Sequence, residues 1–307
     1  MNESIVFFGN ERIATGTQTT APTLRALIAA GYHVAAVVIA QREVANSRQI
    51  RPLEVVEIAE AHTIPVLRPE KLSAVVTEIA DYQATAGVLV AFGKMVPQAL
   101  IDIFPRGIIN IHPSLLPKHR GSTPIESTIL QGDAVTGVSL MALVAQMDAG
   151  PVFAQTTVEL EGREAKQALA DTLLNLGKDL VIEHLPAILD GTLKPTAQDD
   201  SQATYDQLIQ KTDGELDFTK PAVQLEREIR AFTEWPKSRT KLGETEVVVT
   251  FAQVTSDQLK PSEVLTNNKK LLVGTSDGSL EILRLKPAGK GEMTAQAFLA
   301  GYGQQLT

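Results

Sequence analysis

The chain has 307 residues, of which 44% are hydrophobic and 21% are charged, and its formal net charge is -8. This is the composition of an ordinary globular protein, and it predicts neither disorder nor low-complexity segments. Because the chain contains no Cys, disulfides, thiolate metal sites and a cysteine nucleophile are excluded. Residues 208–307 hold 13 basic and 13 acidic residues, so the acidic excess lies in residues 1–207. The overall charge therefore argues mildly against nucleic-acid binding.

The N-terminal stretch, MNESIVFFGN, has an acidic residue before a short apolar run and no basic leader. We interpret it as a first β-strand and not as a secretory signal. The apolar run VAAVVIA, residues 34–40, is far shorter than the ~18 residues of a membrane span. We therefore expect a cytoplasmic protein without membrane contact. Gly9 is followed by Asn10 and Glu11, so the G-x-G-x-x-G fingerprint is absent and a nicotinamide cofactor is disfavoured.

Short apolar runs alternate with segments of helical period over the first 190 residues. The apolar runs include SIVFFG, HVAAVVIA, AGVLVAFG and GIINIHP, and helical segments such as APTLRALIAAG and PLEVVEIAEAH lie among them. This alternation predicts an α/β fold with a Rossmann-like, mostly parallel sheet covered by helices. Two more strands, VSLMALV and VFAQTTVEL, follow the helix PIESTILQG. Leu residues at near-helical spacing between Arg163 and Leu189 then predict one long helix.

The character of the sequence changes after this helix. Residues 191–206, GTLKPTAQDDSQATYD, are polar and lack a period, which indicates a linker between domains. Beyond it, one amphipathic helix around VQLEREIRAF precedes the strand candidates EVVVTFAQV, KLLVGT and SLEILRLK. These elements predict a small C-terminal β-barrel or β-sandwich, and we expect a barrel resembling the OB type. We expect a catalytic domain at 1–190, a linker at 191–206 and the small domain at 207–307.

Three polar residues stand at the ends of predicted strands. Asn110 and His112, in IINIHP, have the same parity and project from one face of a strand. Asp148, in QMDAGP, follows the strand VSLMALV in a turn marked by Gly and Pro. Such residues are equally consistent with simple hydrogen bonding at a strand end and in a turn. Ligands nevertheless bind at the carboxyl ends of strands in open α/β sheets, so an Asn-His-Asp site is one interpretation.

Longer motifs around these residues resemble a known family. NIHPSLLPKHRGSTPIESTILQGD and TGVSLMALVAQMDAGPV resemble the signature of the 10-formyltetrahydrofolate-dependent formyltransferases, with its Asn-x-His, Ser-Leu-Leu-Pro, Arg-Gly and Asp-x-Gly elements. KTDGELDFTKPAVQLEREIRAFTEWP and LKPAGKGEMTAQAFLAG are similar to segments of the methionyl-tRNA formyltransferases within that family. The resemblance covers almost the whole chain. It implies a monomer that transfers formyl from the co-substrate 10-formyltetrahydrofolate to initiator Met-tRNA, without a metal.

The resemblance also implies roles for individual residues. Asn110 would donate to the oxyanion, His112 would donate to the same oxygen or shuttle a proton, and Asp148 would hold the imidazole. A folate pocket is implied at two stretches, one being a strand and the other the loop after His112. The candidate folate-binding residues are Val88, Val90, Phe92, Ser114, Leu115, Leu116 and Pro117. The first three are also consistent with ordinary core positions.

Two loops depart from the family pattern. The first loop of methionyl-tRNA formyltransferases usually reads Gly-Thr-Pro before Phe-Ala, whereas here GNE at 9–11 precedes RIA at 12–14. The insert after the second strand is shorter than the family's long basic insert. Basic residues in that insert and behind the Trp-Pro element are candidates for tRNA binding: Arg42, Arg48, Arg51, Lys237, Arg239 and Lys241. Both groups are equally consistent with ordinary solvated surface.

Other functions stay open at this point. Sugar-nucleotide N-formyltransferases share the catalytic core and can carry a similar small C-terminal domain, and the acidic charge and altered first loop favour them slightly. A non-catalytic folate or nucleotide binder is a second alternative, although the intact Asn110, His112 and Asp148 argue against it. Glycinamide ribonucleotide formyltransferases fit less well because they usually lack a C-terminal domain of this size.

Overall fold

The computed structural model describes residues 3–40, 53–267 and 269–306. These residues divide into two compact units. The first unit comprises the chain up to residue 125 together with 135–160 and 167–207, and the second comprises 126–134, 161–166 and 208–307. No helix within the described ranges combines the length and apolarity that crossing a membrane requires.

A seven-stranded sheet forms the centre of the first unit. Its strands are β1 (Ser4–Gly9), β2 (His33–Val38), β3 (Val66–Leu67), β4 (Ala86–Val90), β5 (Ile108–His112), β6 (Val135–Ala142) and β7 (Val152–Glu159). Their order is β3-β2-β1-β4-β5-β6-β7. All pairs up to β4–β5 are parallel, whereas β6 runs antiparallel to both of its neighbours, β5 and β7. The predicted Rossmann-like, mostly parallel sheet is confirmed.

Helices cover this sheet, as the apolar sequences of its central strands require. All five residues of β4 and of β5 are buried, which is typical of parallel strands covered on both faces. The first unit contains all or most of the helices α1 (Pro22–Ala29), α2 (Glu54–Ala61), α3 (Val76–Ala80), α4 (Gln98–Ile101) and α6 (Lys166–Asp190). The helix α5 (Pro124–Gln131) begins in the first unit and ends in the second. The helix α6 corresponds to the long helix predicted from the Leu spacing.

The direction of chain progression through the sheet reverses at β1. Its neighbours are β2 on one side and β4 on the other, so the loops that leave β1 and β4 diverge. A crevice at such a switch point is the usual ligand site of an open α/β sheet. Gly9 ends β1 with φ of +121°, and a Cβ there would lie 1.9 Å from the Val90 carbonyl oxygen. Only glycine allows β1 and β4 to end this close together.

The second unit contains an antiparallel sheet. Its strands are β8 (Arg239–Leu242), β9 (Thr245–Thr255), β10 (Val264–Asn267), β11 (Lys270–Gly274), β12 (Ser279–Pro287) and β13 (Met293–Thr294). They lie in the order β10-β11-β12-β9-β8, with β13 paired to β12. Leu225 of α7 (Ala222–Ala231) and Phe298 of α8 (Ala295–Tyr302) join Val247 and Leu285 in one hydrophobic core. The predicted small β-rich domain is confirmed as a curled, half-barrel sheet.

The polar segment 191–206 belongs to the first unit and is bound to the loops of that unit by backbone hydrogen bonds. Thr196 and Val152 exchange two N–H···O bonds of 2.8 Å each. Further along, the Arg120 N–H donates to the Thr204 carbonyl at 2.9 Å, and the Asp206 N–H donates to the Arg120 carbonyl at 2.8 Å. The segment therefore has a fixed path beside the loop that follows β5.

Candidate active site

A cavity of about 610 Å³ opens at the carboxyl ends of β1, β4 and β5. Sites for small molecules are commonly roughly 300–1,000 Å³, so the cavity can hold a ligand of that class. Met95 and Met147 line it and are 73% and 53% exposed. Further apolar lining comes from Leu89, Phe92, Val96 and Leu143. Adaptable methionines beside aromatic and aliphatic groups provide a surface for a flat, largely apolar ligand.

Asn110 and His112 both line this cavity from β5. Asn110 is paired in register with Leu89 of β4 and with Met141 of β6, and it is only 6% exposed. Within the part of the chain that the structure describes, its side-chain amide makes no hydrogen bond to the protein. Because a nearly buried amide is costly to leave unpaired, Asn110 is available to donate to a ligand.

The two ring nitrogens of His112 face oxygen atoms. Nε2 lies 2.9 Å from the carbonyl oxygen of His119, which requires the hydrogen on Nε2. Nδ1 lies 3.8 Å from Oδ1 of Asp148. A neutral ring of this tautomer keeps Nδ1 as a proton acceptor, whereas the protonated ring can donate on both sides. The geometry thus leaves His112 able to exchange a proton at Nδ1 next to a carboxylate.

Asp148 lies in the turn after β6 with a left-handed backbone, φ +47°. Its Oδ2 accepts a hydrogen bond from the Gly121 N–H at 2.8 Å, while Oδ1 faces His112. Gly121 has φ of +120°, and a Cβ at this residue would lie 2.9 Å from the carbonyl oxygen of Asp206. The carboxylate is therefore fixed by a backbone donor that glycine makes possible.

The altered first loop anchors the start of α1. Glu11 is fully buried, and its two carboxylate oxygens accept hydrogen bonds of 2.8 Å from the N–H groups of Thr23 and Leu24. Burial raises the pKa of Glu11 from 4.5 to about 7, against the opposing effect of these hydrogen bonds. Asn10 and Arg12, in contrast, line the cavity. The departure from the family pattern thus supplies both a helix cap and two polar groups at the cavity.

Only one of the seven predicted folate-binding residues lines the cavity, and that residue is Phe92. Val88 and Val90 are fully buried instead, because the alternation along β4 directs Leu89 and the following Ala91 to the cavity. Ser114 donates to the Lys118 carbonyl at 2.7 Å and, with Leu115, Leu116 and Pro117, lies outside the cavity lining. The role of these loop residues in folate binding stays a prediction.

The candidate tRNA-binding residues fall into two groups. Arg42, Arg48 and Arg51 lie outside the described residues. In the second unit, Arg239 pairs with Glu215 at 2.9 Å, and Lys241 pairs with Glu244 at 2.8 Å, which raises the pKa of Lys241. Lys237 is exposed and has no acidic partner among the residues that the structure describes. It is the one uncommitted cation among these three.

The sequence interpretation missed contacts from the segment taken as a linker. Gln198 donates from Nε2 to the carbonyl oxygens of Asp148 and Gly150, at 2.8 Å and 2.6 Å. Arg120, which has no exposed surface, holds the other end of the Gln198 amide. The available signal was composition: residues 196–206 are rich in Gln, Asp and Thr, whereas a flexible linker is rich in Gly and Ser.

Four non-glycine residues with left-handed backbones surround the site. Their φ angles are +57° for Glu11, +51° for Ala91, +58° for His119 and +47° for Asp148. Each such conformation costs about 1–3 kcal/mol and persists where surrounding contacts impose it, often at functional sites. Their concentration on the loops at this end of the sheet marks the cavity as a functional region. Among the described residues, no group of three or more His, Asp or Glu side chains could hold a metal ion.

Comparisons with known proteins match this geometry. Residues 6–185 match the formyl transferase family model, and residues 208–303 match the formyl transferase C-terminal domain. The methionyl-tRNA formyltransferase of Chloroflexus aurantiacus is 36% identical over 304 residues, covering 97% of this chain and 96% of that protein. That of Myxococcus xanthus is 36% identical over 301 residues, covering 97% of this chain and 95% of the relative.

Two solved structures share the fold at low identity. The N-formyltransferase of Helicobacter canadensis, in complex with folinic acid and dTDP-3-aminofucose, has a TM-score of 0.68 at 17% identity and covers 92% of this chain and 99% of its own. HypX of Aquifex aeolicus, in complex with tetrahydrofolic acid, has a TM-score of 0.66 at 18% identity, covering 98% of this chain and 47% of HypX. The resemblance carried by the Asn-x-His, Ser-Leu-Leu-Pro, Arg-Gly and Asp-x-Gly elements is thereby confirmed, and the chain belongs to the formyl transferase family.

Proposed function

We propose that this protein transfers the formyl group of 10-formyltetrahydrofolate to the amino group of methionine on initiator Met-tRNA. One observation carries the proposal: the unpaired Asn110 amide and the His112–Asp148 pair meet in a single cavity. Relatives that are 36% identical over nearly the whole chain and bear the name methionyl-tRNA formyltransferase support the choice of acceptor. Formylation of initiator tRNA precedes translation, so the proposal places the protein, as a monomer, in the cytoplasm.

Formyl transfer between two nitrogens makes three demands on a site. The acceptor amine must attack the formyl carbon, the formyl oxygen must carry negative charge, and a proton must pass from the amine to the leaving nitrogen. None of these steps requires a covalent bond to the enzyme. The site must therefore supply an oxyanion donor, a proton carrier and a means of keeping both in place.

The three residues at the cavity meet these demands. Asn110 donates its amide hydrogen to the oxyanion, and a single such donor is typically worth about 3–4 kcal/mol of barrier. His112 takes up or releases the proton at Nδ1, since its other nitrogen is committed to the His119 carbonyl. Asp148 stabilises the imidazolium that forms during this transfer, and its own position is set by the Gly121 N–H.

The folate fits the lining of the cavity. A pterin ring is flat and apolar on its faces, and Leu89, Phe92, Val96 and Leu143 provide apolar contact area. Met95 and Met147, exposed in this structure, would lose solvent contact when such a ring binds. The volume of about 610 Å³ is sufficient for a ligand of this size class.

The principal alternative acceptor is a sugar nucleotide. It is suggested by the altered first loop, whose Asn10 and Arg12 line the cavity. However, three similar solved structures described as sugar N-formyltransferases or likely ones share 16–19% identity with this chain, against 34–37% for the methionyl-tRNA formyltransferases. The sequence distance therefore favours the tRNA. Of the predicted tRNA-binding residues that the structure describes, Lys237 is the one without an acidic partner to compete with the tRNA phosphates.

The acceptor is tested by supplying 10-formyltetrahydrofolate with a labelled formyl group to two reactions, one containing initiator Met-tRNA and the other a 4-amino-sugar nucleotide. Label on Met-tRNA supports the proposal. Label on the sugar alone reassigns the acceptor but leaves the site in place. Folate binding without transfer to either acceptor would identify a non-catalytic binder.

The residue roles are tested in the same assay. We expect Asn110→Ala and Asp148→Ala each to lower kcat by about 100-fold or more, because each removes a group that acts on charge in the transition state. Asn175→Ala is the matched control, since Asn175 is exposed on α6 and only donates to the Asp171 carbonyl. Near-normal turnover of the Asn110 and Asp148 variants, with unchanged circular dichroism, would contradict the assigned roles.

A further inference from the structure

Gln198 connects the segment 191–206 to the turn that carries Asp148. Its Nε2 donates two hydrogen bonds, to the Asp148 carbonyl at 2.8 Å and to the Gly150 carbonyl at 2.6 Å. The residue lies 50 positions from Asp148 in sequence and is itself partly buried. These two bonds hold the turn in which Asp148 has a left-handed backbone and its carboxylate faces His112.

The orientation of the Gln198 amide is fixed by Arg120. Oε1 of Gln198 accepts from Nε and Nη2 of Arg120, at 3.1 Å and 2.8 Å. Arg120 has no exposed surface and is held in turn by the Tyr205 hydroxyl at 2.8 Å and by Asp200 at 2.6 Å. Because guanidinium only donates and carbonyls only accept, the amide oxygen must face Arg120 and the NH₂ must face the Asp148 turn.

Asp148 is thus held from two sides. The Gly121 N–H fixes its carboxylate, and the Gln198 NH₂ fixes its backbone carbonyl. Arg120 immediately precedes Gly121, so the same short loop supplies the carboxylate donor and the anchor of Gln198. A left-handed non-glycine residue needs such support, because its backbone conformation is unfavourable on its own.

We propose that Gln198 is a positioning residue for formyl transfer, acting through Asp148. It holds the turn so that the Asp148 carboxylate faces His112, and it does not itself line the cavity. The expected effect on turnover rests on the proposed function. The hold of Gln198 on the Asp148 turn does not depend on which acceptor is formylated.

The sharpest test is Gln198→Glu. A glutamate keeps the shape of the side chain and the acceptor used by Arg120, so the segment 191–206 stays bound to Arg120. It replaces the NH₂ donor with a carboxylate oxygen that cannot donate to the two carbonyl oxygens and is repelled by them, so the hold on the Asp148 turn is lost. Gln202→Ala is the control, because Gln202 lies in the same segment, is exposed, and its side chain donates only to Asp199.

We expect Gln198→Glu to lower kcat by about 10- to 100-fold, the range found when groups that orient metal ligands are removed, with little change in the KM for the folate. Added to Asp148→Ala, it should cause little further loss, because both changes act on the same carboxylate. A kcat within twofold of the wild type, or losses that multiply in the double variant, would overturn the proposal.

A second measurement needs no activity. The Gly121 amide hydrogen is bonded to the Asp148 carboxylate, so its exchange with solvent should accelerate in Gln198→Glu and not in Gln202→Ala. Unchanged exchange at Gly121 would overturn the positioning role. If the wild type formylates neither acceptor, the proposed function fails, while this measurement still decides whether Gln198 holds the Asp148 turn.

Discussion

Replacing Glu11 by a glutamine should remove a pH-dependent loss of stability from the first unit. The Glu11 carboxyl is fully buried, and its pKa in the folded protein is raised from 4.5 to about 7. Between these two pH values the folded protein retains a proton that the unfolded chain has released. Stability therefore falls as pH rises through this window, because ionising the buried carboxyl costs free energy that ionising it in the unfolded chain does not.

The magnitude follows from the pKa shift. One unit of pKa corresponds to about 1.4 kcal/mol, so a rise from 4.5 to about 7 corresponds to about 3 kcal/mol between pH 4 and pH 8. The amide side chain in Glu11→Gln cannot ionise and can still accept one hydrogen bond at the start of α1. The unfolding free energy of the variant relative to the wild type should therefore increase by about 3 kcal/mol across this range.

The assay is urea unfolding at closely spaced pH values, followed by far-UV circular dichroism. The only Trp, Trp235, belongs to the second unit, so its fluorescence is not the signal for this change. Glu57→Gln, on the exposed face of α2, is the control and should show no comparable pH dependence. A difference between Glu11→Gln and the wild type that stays constant from pH 4 to 8 would refute the reasoning.

Three further substitutions test other parts of the molecule. Lys166→Met should lower the unfolding free energy of the second unit by about 3–5 kcal/mol, because fully buried Lys166 lies 3.1 Å from Glu234 and 3.8 Å from buried Glu126. Trp235 fluorescence in urea measures this change, and adding Glu126→Gln should recover part of the loss. Gly121→Ala should lower kcat more than Gly107→Ala, which shares a positive φ but has no atom near the added methyl group. Lys237→Glu should reduce the slope of the logarithm of Met-tRNA affinity against the logarithm of salt concentration by about 0.7–0.9 or more. Lys241→Glu should change this slope less, because Lys241 is already paired with Glu244.

The fold could be predicted because its signals are local. Runs such as AGVLVAFG are apolar at every position, as a strand buried on both faces requires, and β4 is buried at all five residues. The Leu spacing of α6 is also a local signal, because a helix packed on a sheet must have one apolar face. Strand direction could not be predicted in the same way: β6 runs antiparallel to both β5 and β7, although its sequence is as apolar as those of the parallel strands.

The site could be predicted in residue identity but not in detailed contacts. Parity along β5 is a local property, so Asn110 and His112 could be assigned to one face, and both line the cavity. The same rule applied to β4 identifies two alternating faces without saying which one meets the cavity. The cavity lies on the side of Leu89 and Ala91, so Val88 and Val90 face away from it into the core.

What the sequence could not show is how backbone conformation and distant segments set the chemistry. Asp148 faces His112 because its own backbone is left-handed, and neither that angle nor the Gly121 donor is encoded in residue spacing. A second series of hydrogen bonds also links a distant residue to the site: the Asp206 carboxylate lies 3.0 Å from Nδ1 of His119, and the His119 carbonyl accepts from His112. This series begins at Asp206, and the contacts of Gln198 with the Asp148 turn begin in the same segment, 191–206. The hydrogen bonds that this segment makes to the neighbouring loops explain why it is polar. A polar segment without hydrophobic periodicity can therefore be a flexible linker or a scaffold for a neighbouring site. It is a scaffold when several of its side chains hydrogen-bond to buried backbone groups.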